Sequence, residues 1–104
     1  MLITARPTRR YPVVSAVVLL NIEQAHVNNV AQQLTSMPGV TDVYSVAGEY
    51  DVVVLLRVND NEAVADLVTK RIARLPGIRN TETLIAFRTH SNRDLDAGFS
   101  LGDP

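Results

Sequence analysis

The sequence contains neither cysteine nor tryptophan among its 104 residues. The absence of cysteine excludes disulfides, thiolate nucleophiles and cysteine-based zinc sites, and it fits the reducing cytoplasm. No apolar run reaches the roughly 18 residues of a membrane span, and the charged N terminus lacks the apolar core of a secretory signal. The net charge of −1 offers no basic face to a phosphate backbone. We therefore expect a cytoplasmic protein that neither crosses a membrane nor binds nucleic acid directly.

Motifs of catalysis and metal binding are also missing. The two histidines, His26 and His90, do not form the short spacings with which histidines bind a metal together. The five glycines form no phosphate-binding loop, and no Gly-x-Ser-x-Gly element presents a nucleophile. The sequence therefore predicts no enzymatic activity, no cofactor and no metal.

An internal repeat organises the chain. Val17-Val18-Leu19-Leu20 recurs as Val53-Val54-Leu55-Leu56, and each copy leads into a segment with helical period. The two helical segments end in similar turns, Met37-Pro38-Gly39-Val40 and Leu75-Pro76-Gly77-Ile78. Two copies of one strand–helix–strand unit explain this pattern, whereas a solenoid needs at least about three repeats.

The two copies predict four strands and two helices in a single domain. Strands rich in β-branched residues are predicted over 14–22, 41–46, 51–58 and 81–87. Apolar stripes predict one helix over 24–36 and another from a cap at Asn59 or Asp60 to Leu75. We expect a ferredoxin-like βαββαβ fold of the α+β class, with two helices on one face of an antiparallel sheet. Residues 1–12 are predicted to form a flexible leader, residues 13–88 the domain, and residues 89–104 a tail that docks on its own or a partner subunit.

The first and third strands are apolar on both faces, as the repeated Val-Val-Leu-Leu shows. Two helices cover only one face of a four-stranded sheet, so an open face should alternate apolar with polar residues. We therefore expect a second copy of the chain to cover that face, since most oligomers of small proteins are symmetric homo-oligomers. The alternative is that the C-terminal tail folds back over it.

Two groups of residues are candidates for binding. Glu49 and Asp51 flank Tyr50 in the hairpin, and residues two apart in an extended segment share a face. These two carboxylates either hold a cation or an ammonium group or are simply solvated turn acids. Thr81 and Thr83 share a face of the last strand, where they are either binding hydroxyls or good strand formers.

The hairpin and the last strand together resemble a known family. The segment over residues 43–54, with Gly48-Glu49-Tyr50-Asp51 at its turn, is similar to the hairpin of the ligand-binding domain of Lrp/AsnC transcriptional regulators. The segment over residues 75–87, with Leu-Pro-Gly-Ile followed by Thr-Glu-Thr and Ala-Phe, resembles the final strand of that domain. The resemblance covers residues 14–87.

The resemblance implies a function as well as a fold. Domains of this family dimerise through their sheets as a dimeric α+β barrel and often form rings of dimers such as octamers, with small effectors, commonly amino acids, in clefts between dimers. Carried over to this chain, Gly48, Glu49, Tyr50 and Asp51 form one wall of the ligand site. Thr81 and Thr83 form another. Ala47 stands where relatives often have threonine.

One departure from the family concerns DNA. Full-length regulators carry an N-terminal helix-turn-helix, whereas about a dozen residues precede the first strand here. The expected function is thus an oligomeric amino-acid sensor without its own DNA-binding module, which modulates a full-length paralogous regulator. The alternatives are a small dimeric α+β barrel enzyme of the cofactor-free monooxygenase type and a purely structural interaction module.

Overall fold

The computed structural model describes residues 13–90. The elements follow the order β1 (Val14–Ile22), α1 (Val27–Thr35), β2 (Val40–Ser45), β3 (Val52–Val58), α2 (Asn61–Asp66) and β4 (Ile78–Ile85). The predicted leader and residues 91–104 of the predicted tail lie outside the described residues. None of the helices in the described range combines the length and the hydropathy needed to cross a membrane.

The sheet has the strand order β2-β3-β1-β4, and every neighbouring pair of strands is antiparallel. This topology confirms the predicted ferredoxin-like fold. Val17 of β1 lies opposite Leu55 of β3 on one side and opposite Leu84 of β4 on the other. The two copies of Val-Val-Leu-Leu thus occupy the two central strands.

The core lies between the sheet and the helices. Alternate residues of the two central strands point into it, because successive side chains of a strand face opposite ways. The buried side chains of this layer are Ala16, Val18, Leu20, Ile22, Val52, Val54 and Leu56. Those that face them from the helical segments are Val30, Leu34, Met37, Val64, Leu67, Val68 and Ile72. Burial of each large aliphatic side chain is worth about 1.5–3 kcal/mol.

Neither helical segment is a continuous α-helix, which differs from the prediction. A 3₁₀ turn at Gln24–His26 precedes α1. After α2 the chain continues through a π-helical turn (Leu67–Arg71) and a 3₁₀ turn (Ile72–Arg74). Thr69 Oγ1 donates to the carbonyl oxygen of Ala65 at 2.7 Å. In an α-helix the same carbonyl oxygen accepts a hydrogen bond from the Thr69 amide. The hydroxyl and the amide of Thr69 therefore compete for one acceptor, which disturbs the regular α-helical hydrogen bonding.

The last strand begins and ends earlier than predicted. β4 covers Ile78–Ile85 rather than residues 81–87. Its first residue, Ile78, already pairs with Ile22, and its last, Ile85, pairs with Ala16. One further backbone hydrogen bond follows this pair, from the amide of Ala86 to the carbonyl oxygen of Ser15 at 2.9 Å.

The second Pro-Gly turn holds the end of β1 against the start of β4. The amide of Glu23 donates to the carbonyl oxygen of Gly77 at 2.9 Å. Gly77 has a φ of +94°, and a Cβ atom at this position would lie 2.5 Å from Cβ of His26. Gly48, in the β2–β3 turn, also has a positive φ, +137°, but nothing lies within 4 Å of the place where its Cβ would be.

This difference between the two glycines predicts a difference in stability. Alanine at either position adopts an unfavourable φ, which costs about 1–3 kcal/mol. Gly77→Ala also forces a methyl group against His26, which adds roughly 1–3 kcal/mol of overpacking. Urea unfolding should therefore show a clearly larger loss for Gly77→Ala than for its matched control, Gly48→Ala. Equal losses would mean that the contact with His26 relaxes freely.

Candidate functional site

The turn between β2 and β3 lies against the end of β1. The amide of Val46 donates to the carbonyl oxygen of Asp51 at 3.0 Å and closes the turn. The amide of Asp51 donates to the carbonyl oxygen of Leu20 at 2.8 Å and continues the β3–β1 ladder. The positive φ of Gly48 belongs to this turn. The predicted residues Gly48, Glu49, Tyr50 and Asp51 are therefore held beside β1 by backbone hydrogen bonds.

The carboxylate of Asp51 contacts the backbone of β1 directly. Its Oδ2 atom accepts a hydrogen bond from the amide of Ile22 at 2.8 Å. Next to it, Asn21 Nδ2 donates to the backbone carbonyl oxygen of Glu49 at 2.7 Å. Asn80 Nδ2 in turn donates to Asn21 Oδ1 at 3.3 Å. Asp51 is half-buried, and one of its two oxygens is already bound.

A polar depression opens beside this carboxylate. It has a volume of about 430 Å³ and is lined by Asn21, Asp51, Arg79 and Asn80. That volume is within the range of about 300–1,000 Å³ typical of small-molecule sites. An acid, a base and two amides can together bind a small polar ligand through both of its charged ends. In the part of the chain that the structure describes, no group of three or more histidine, aspartate or glutamate residues could hold a metal.

Tyr50 extends from the turn across β1 to β4. Its hydroxyl donates to Oε1 of Glu82, and Glu82 lies opposite Leu19. The pKa of Tyr50 is raised, first by this hydrogen bond, then by partial desolvation and by the negative charges of Glu82 and Glu49. The hydroxyl therefore keeps its proton and remains a donor to Glu82.

The threonines predicted as a second wall lie on the other face of the sheet. Thr81 is opposite Leu20 and Thr83 is opposite Val18, and both partners are buried beneath the helices. Within one chain the structure brings Glu82 to Tyr50 and places Thr81 and Thr83 apart from them. Their predicted contact with a ligand stays a prediction.

Four of the residues at this end of the sheet were not predicted from the sequence. These are Asn21, Arg79, Asn80 and Glu82. In the sequence, Asn21 stands out only as the polar residue that ends the apolar run of the first strand, and Glu82 as the acid between two threonines. A polar residue at the end of a central strand is a usable signal, because strand ends are where backbone and side chains meet solvent.

The face of the sheet opposite the helices, which we call the open face, is apolar. Its central residues are Val17, Leu19, Val53 and Leu55, and all four are only partly buried. Tyr44 of β2 is 50% exposed and Leu84 of β4 is 49% exposed. Within residues 13–90, no helix packs on this face. Exposed apolar surfaces of this kind are typical of interaction sites.

Comparison with known proteins gives a consistent family match. The family described as the Lrp/AsnC ligand binding domain matches residues 15–95. The HTH-type transcriptional regulator FL11 of Pyrococcus horikoshii is 31% identical over 75 residues, which are 72% of this chain and 49% of that protein. The chain thus spans about half the length of the curated relatives it matches.

Solved structures show the same likeness. A protein of Thermus thermophilus, TTHA0845, is 40% identical with a TM-score of 0.72, over 75% of this chain and 98% of that one. A transcriptional regulator of Neisseria meningitidis, solved as a complex with L-Met, has a TM-score of 0.70 at 16% identity, over 91% of this chain and 67% of that one. The second likeness concerns the fold alone.

The contact between Tyr50 and Glu82 predicts a change in titration. Glu82→Gln removes the carboxylate charge, so the pKa of Tyr50 should fall toward its usual value. The measurement is phenolate absorbance against pH. It is made in a Tyr11→Phe/Tyr44→Phe background, in which Tyr50 is the last of the three tyrosines of the sequence. Glu62→Gln, on the exposed first turn of α2, is the matched control and should leave the curve in place. A titration unchanged by Glu82→Gln would contradict the hydrogen bond.

Proposed function

The chain belongs to the Lrp/AsnC ligand-binding domain family, and we propose that it senses an amino acid at the depression beside Asp51 while assembled with further copies of itself. The family match over residues 15–95 supports a binding role. The relatives are named as transcriptional regulators, which favours sensing over catalysis. The Neisseria meningitidis regulator, solved with L-Met, supports the view that this fold can carry an amino-acid site.

The observation that carries the proposal is the position of the Asp51 carboxylate. It lines a depression of small-molecule size, and only its Oδ2 atom accepts a hydrogen bond from residues 13–90. The remaining lone pairs can accept from the α-ammonium group of an amino acid in a charge-assisted hydrogen bond. The turn beside this carboxylate contains Gly48 and Glu49, and the backbone carbonyl of Glu49 accepts a hydrogen bond from Asn21. The hydroxyl of Tyr50 attaches the same turn to β4 through Glu82.

The open face supports self-association. A second copy placed on it would remove Val17, Leu19, Val53 and Leu55 from water together with the exposed side chains of Tyr44 and Leu84. Each large aliphatic side chain that becomes fully buried contributes about 1.5–3 kcal/mol. A two-fold arrangement buries the same patch on both copies. We propose a dimer through this face, with dimers assembling further so that a neighbouring subunit closes the depression at Asp51.

The regulatory output of such a sensor would be passed on to a DNA-binding partner. No element within residues 13–90 is a helix-turn-helix, because strands separate the two helical segments. The curated relatives are HTH-type regulators about twice as long as this chain's matched segment. We propose that a full-length regulator of this family is the partner, through mixed assembly of the shared domain.

Amino-acid binding is testable on the intact chain. Calorimetric titration with each of the common amino acids should identify at least one that binds the wild type. Asp51→Asn keeps an acceptor for the Ile22 amide but removes the charge, so affinity should fall roughly ten-fold or more, since hydrogen bonds to charged groups are worth about 1.5–3 kcal/mol. Glu62→Gln, outside the depression, should bind as the wild type does. No heat with any amino acid would refute the proposal.

Self-association is tested separately. Val17→Glu places a carboxylate at the centre of the open face, where burial against a partner would be costly. Sedimentation velocity at micromolar concentration should show an oligomer for the wild type and a monomer for Val17→Glu, with unchanged circular dichroism. Ala65→Glu, on the exposed side of α2, serves as the control and should remain oligomeric. A monomeric wild type would exclude the proposed dimer.

A further inference from the structure

Arg79 occupies an irregular position in β4. Asn21 pairs with Asn80, but the next residue of β1, Ile22, pairs with Ile78. Arg79 is therefore the extra residue at which the register of β4 shifts against β1. Bulges of this kind re-aim a side chain and are over-represented beside functional sites. Arg79, which this shift leaves without a pairing partner in β1, is one of the four residues that line the depression at Asp51.

The depression contains two opposite charges that do not neutralise each other. Asp51 and Arg79 both line it, yet the ion pairs within 4.0 Å found in residues 13–90 are His26 with Glu23 and Lys70 with Asp66. The amides of Asn21 and Asn80 line the same depression, and they are oriented by their hydrogen bonds to each other and to the backbone of Glu49. The lining of the depression is thus polar, with an acid and a base that are not paired with each other.

We propose that Arg79 binds the carboxylate of the ligand, so that the site selects zwitterions through Asp51 at one end and Arg79 at the other. This inference rests on the proposed function and adds to it the residue that recognises the anionic group. The guanidinium group can bind a carboxylate with two parallel hydrogen bonds. Thr81 and Thr83, which were predicted as the second wall of the site, lie on the face that packs toward the helices.

The charges also predict which molecules the site rejects. An amine without a carboxylate leaves Arg79 without its anion. A carboxylic acid without an ammonium group brings its negative charge close to Asp51, which repels it. An α-carboxamide keeps the ammonium group and the side chain but loses the charge that Arg79 recognises. The carboxamide therefore separates the contribution of Arg79 from that of Asp51.

The experiment uses calorimetry on the intact chain with an amino acid that binds the wild type and with its α-carboxamide. Arg79→Gln should weaken binding of the amino acid roughly 10- to 100-fold and leave binding of the carboxamide within about two-fold. Arg79→Lys should keep part of the affinity, because it keeps the charge but loses the bidentate geometry. Arg71→Gln, an exposed arginine in the π-helical turn, is the control and should change neither affinity.

The outcomes separate this inference from the function on which it rests. Binding that is lost in Asp51→Asn but unchanged in Arg79→Gln would overturn the role of Arg79 and leave the amino-acid site in place. An equal loss for the amino acid and its carboxamide in Arg79→Gln would also overturn it, since the residue would then act on the shape of the bulge. If no amino acid binds the wild type, both proposals fail together. Unchanged thermal unfolding of unliganded Arg79→Gln verifies that the variant is folded.

Discussion

The backbone of the central strand β1 must be hydrogen-bonded on both of its edges. At the end of the strand, the carboxylate of Asp51 supplies the acceptor that the neighbouring strand does not. β3 pairs with β1 as far as Val52 opposite Leu20. Beyond this point the buried Ile22 still carries an amide that needs an acceptor, and Oδ2 of Asp51 supplies it. An unsatisfied buried amide would cost about 1–3 kcal/mol. The turn before β3 is therefore tied to the strand on which the sheet is built.

This constraint explains why the candidate site lies at one end of the sheet. The same carboxylate that stabilises β1 also lines the polar depression. The other lining residues come from the last residues of β1 and the first residues of β4, which meet there because the two strands are antiparallel. Tyr50 extends the connection across β1 to Glu82. Three elements thus converge at a place where, within residues 13–90, no helix covers the open face.

The apolar character of the two central strands links the fold to assembly. One set of their side chains forms the core beneath the helices, and the alternate set forms the open face. A strand with apolar residues on both faces is typical of a sheet that is covered on both sides. The candidate site and the proposed dimer surface are adjacent, because Glu82 and its partner on β1, Leu19, belong to the open face. Tyr50 connects the two through its hydrogen bond to Glu82.

The fold class could be predicted from the amino-acid pattern, because periodic apolar positions and the two Pro-Gly turns are local features of the chain. This pattern also identified the turn at Gly48–Asp51 as a candidate site. It did not predict the π-helical turn after α2, where the Thr69 side chain competes with the backbone. The packing of Thr81 toward the helices and the place of Arg79 in the depression became visible in the folded chain alone. Both depend on the register between β1 and β4, and register is set by pairing between segments that are far apart in the chain.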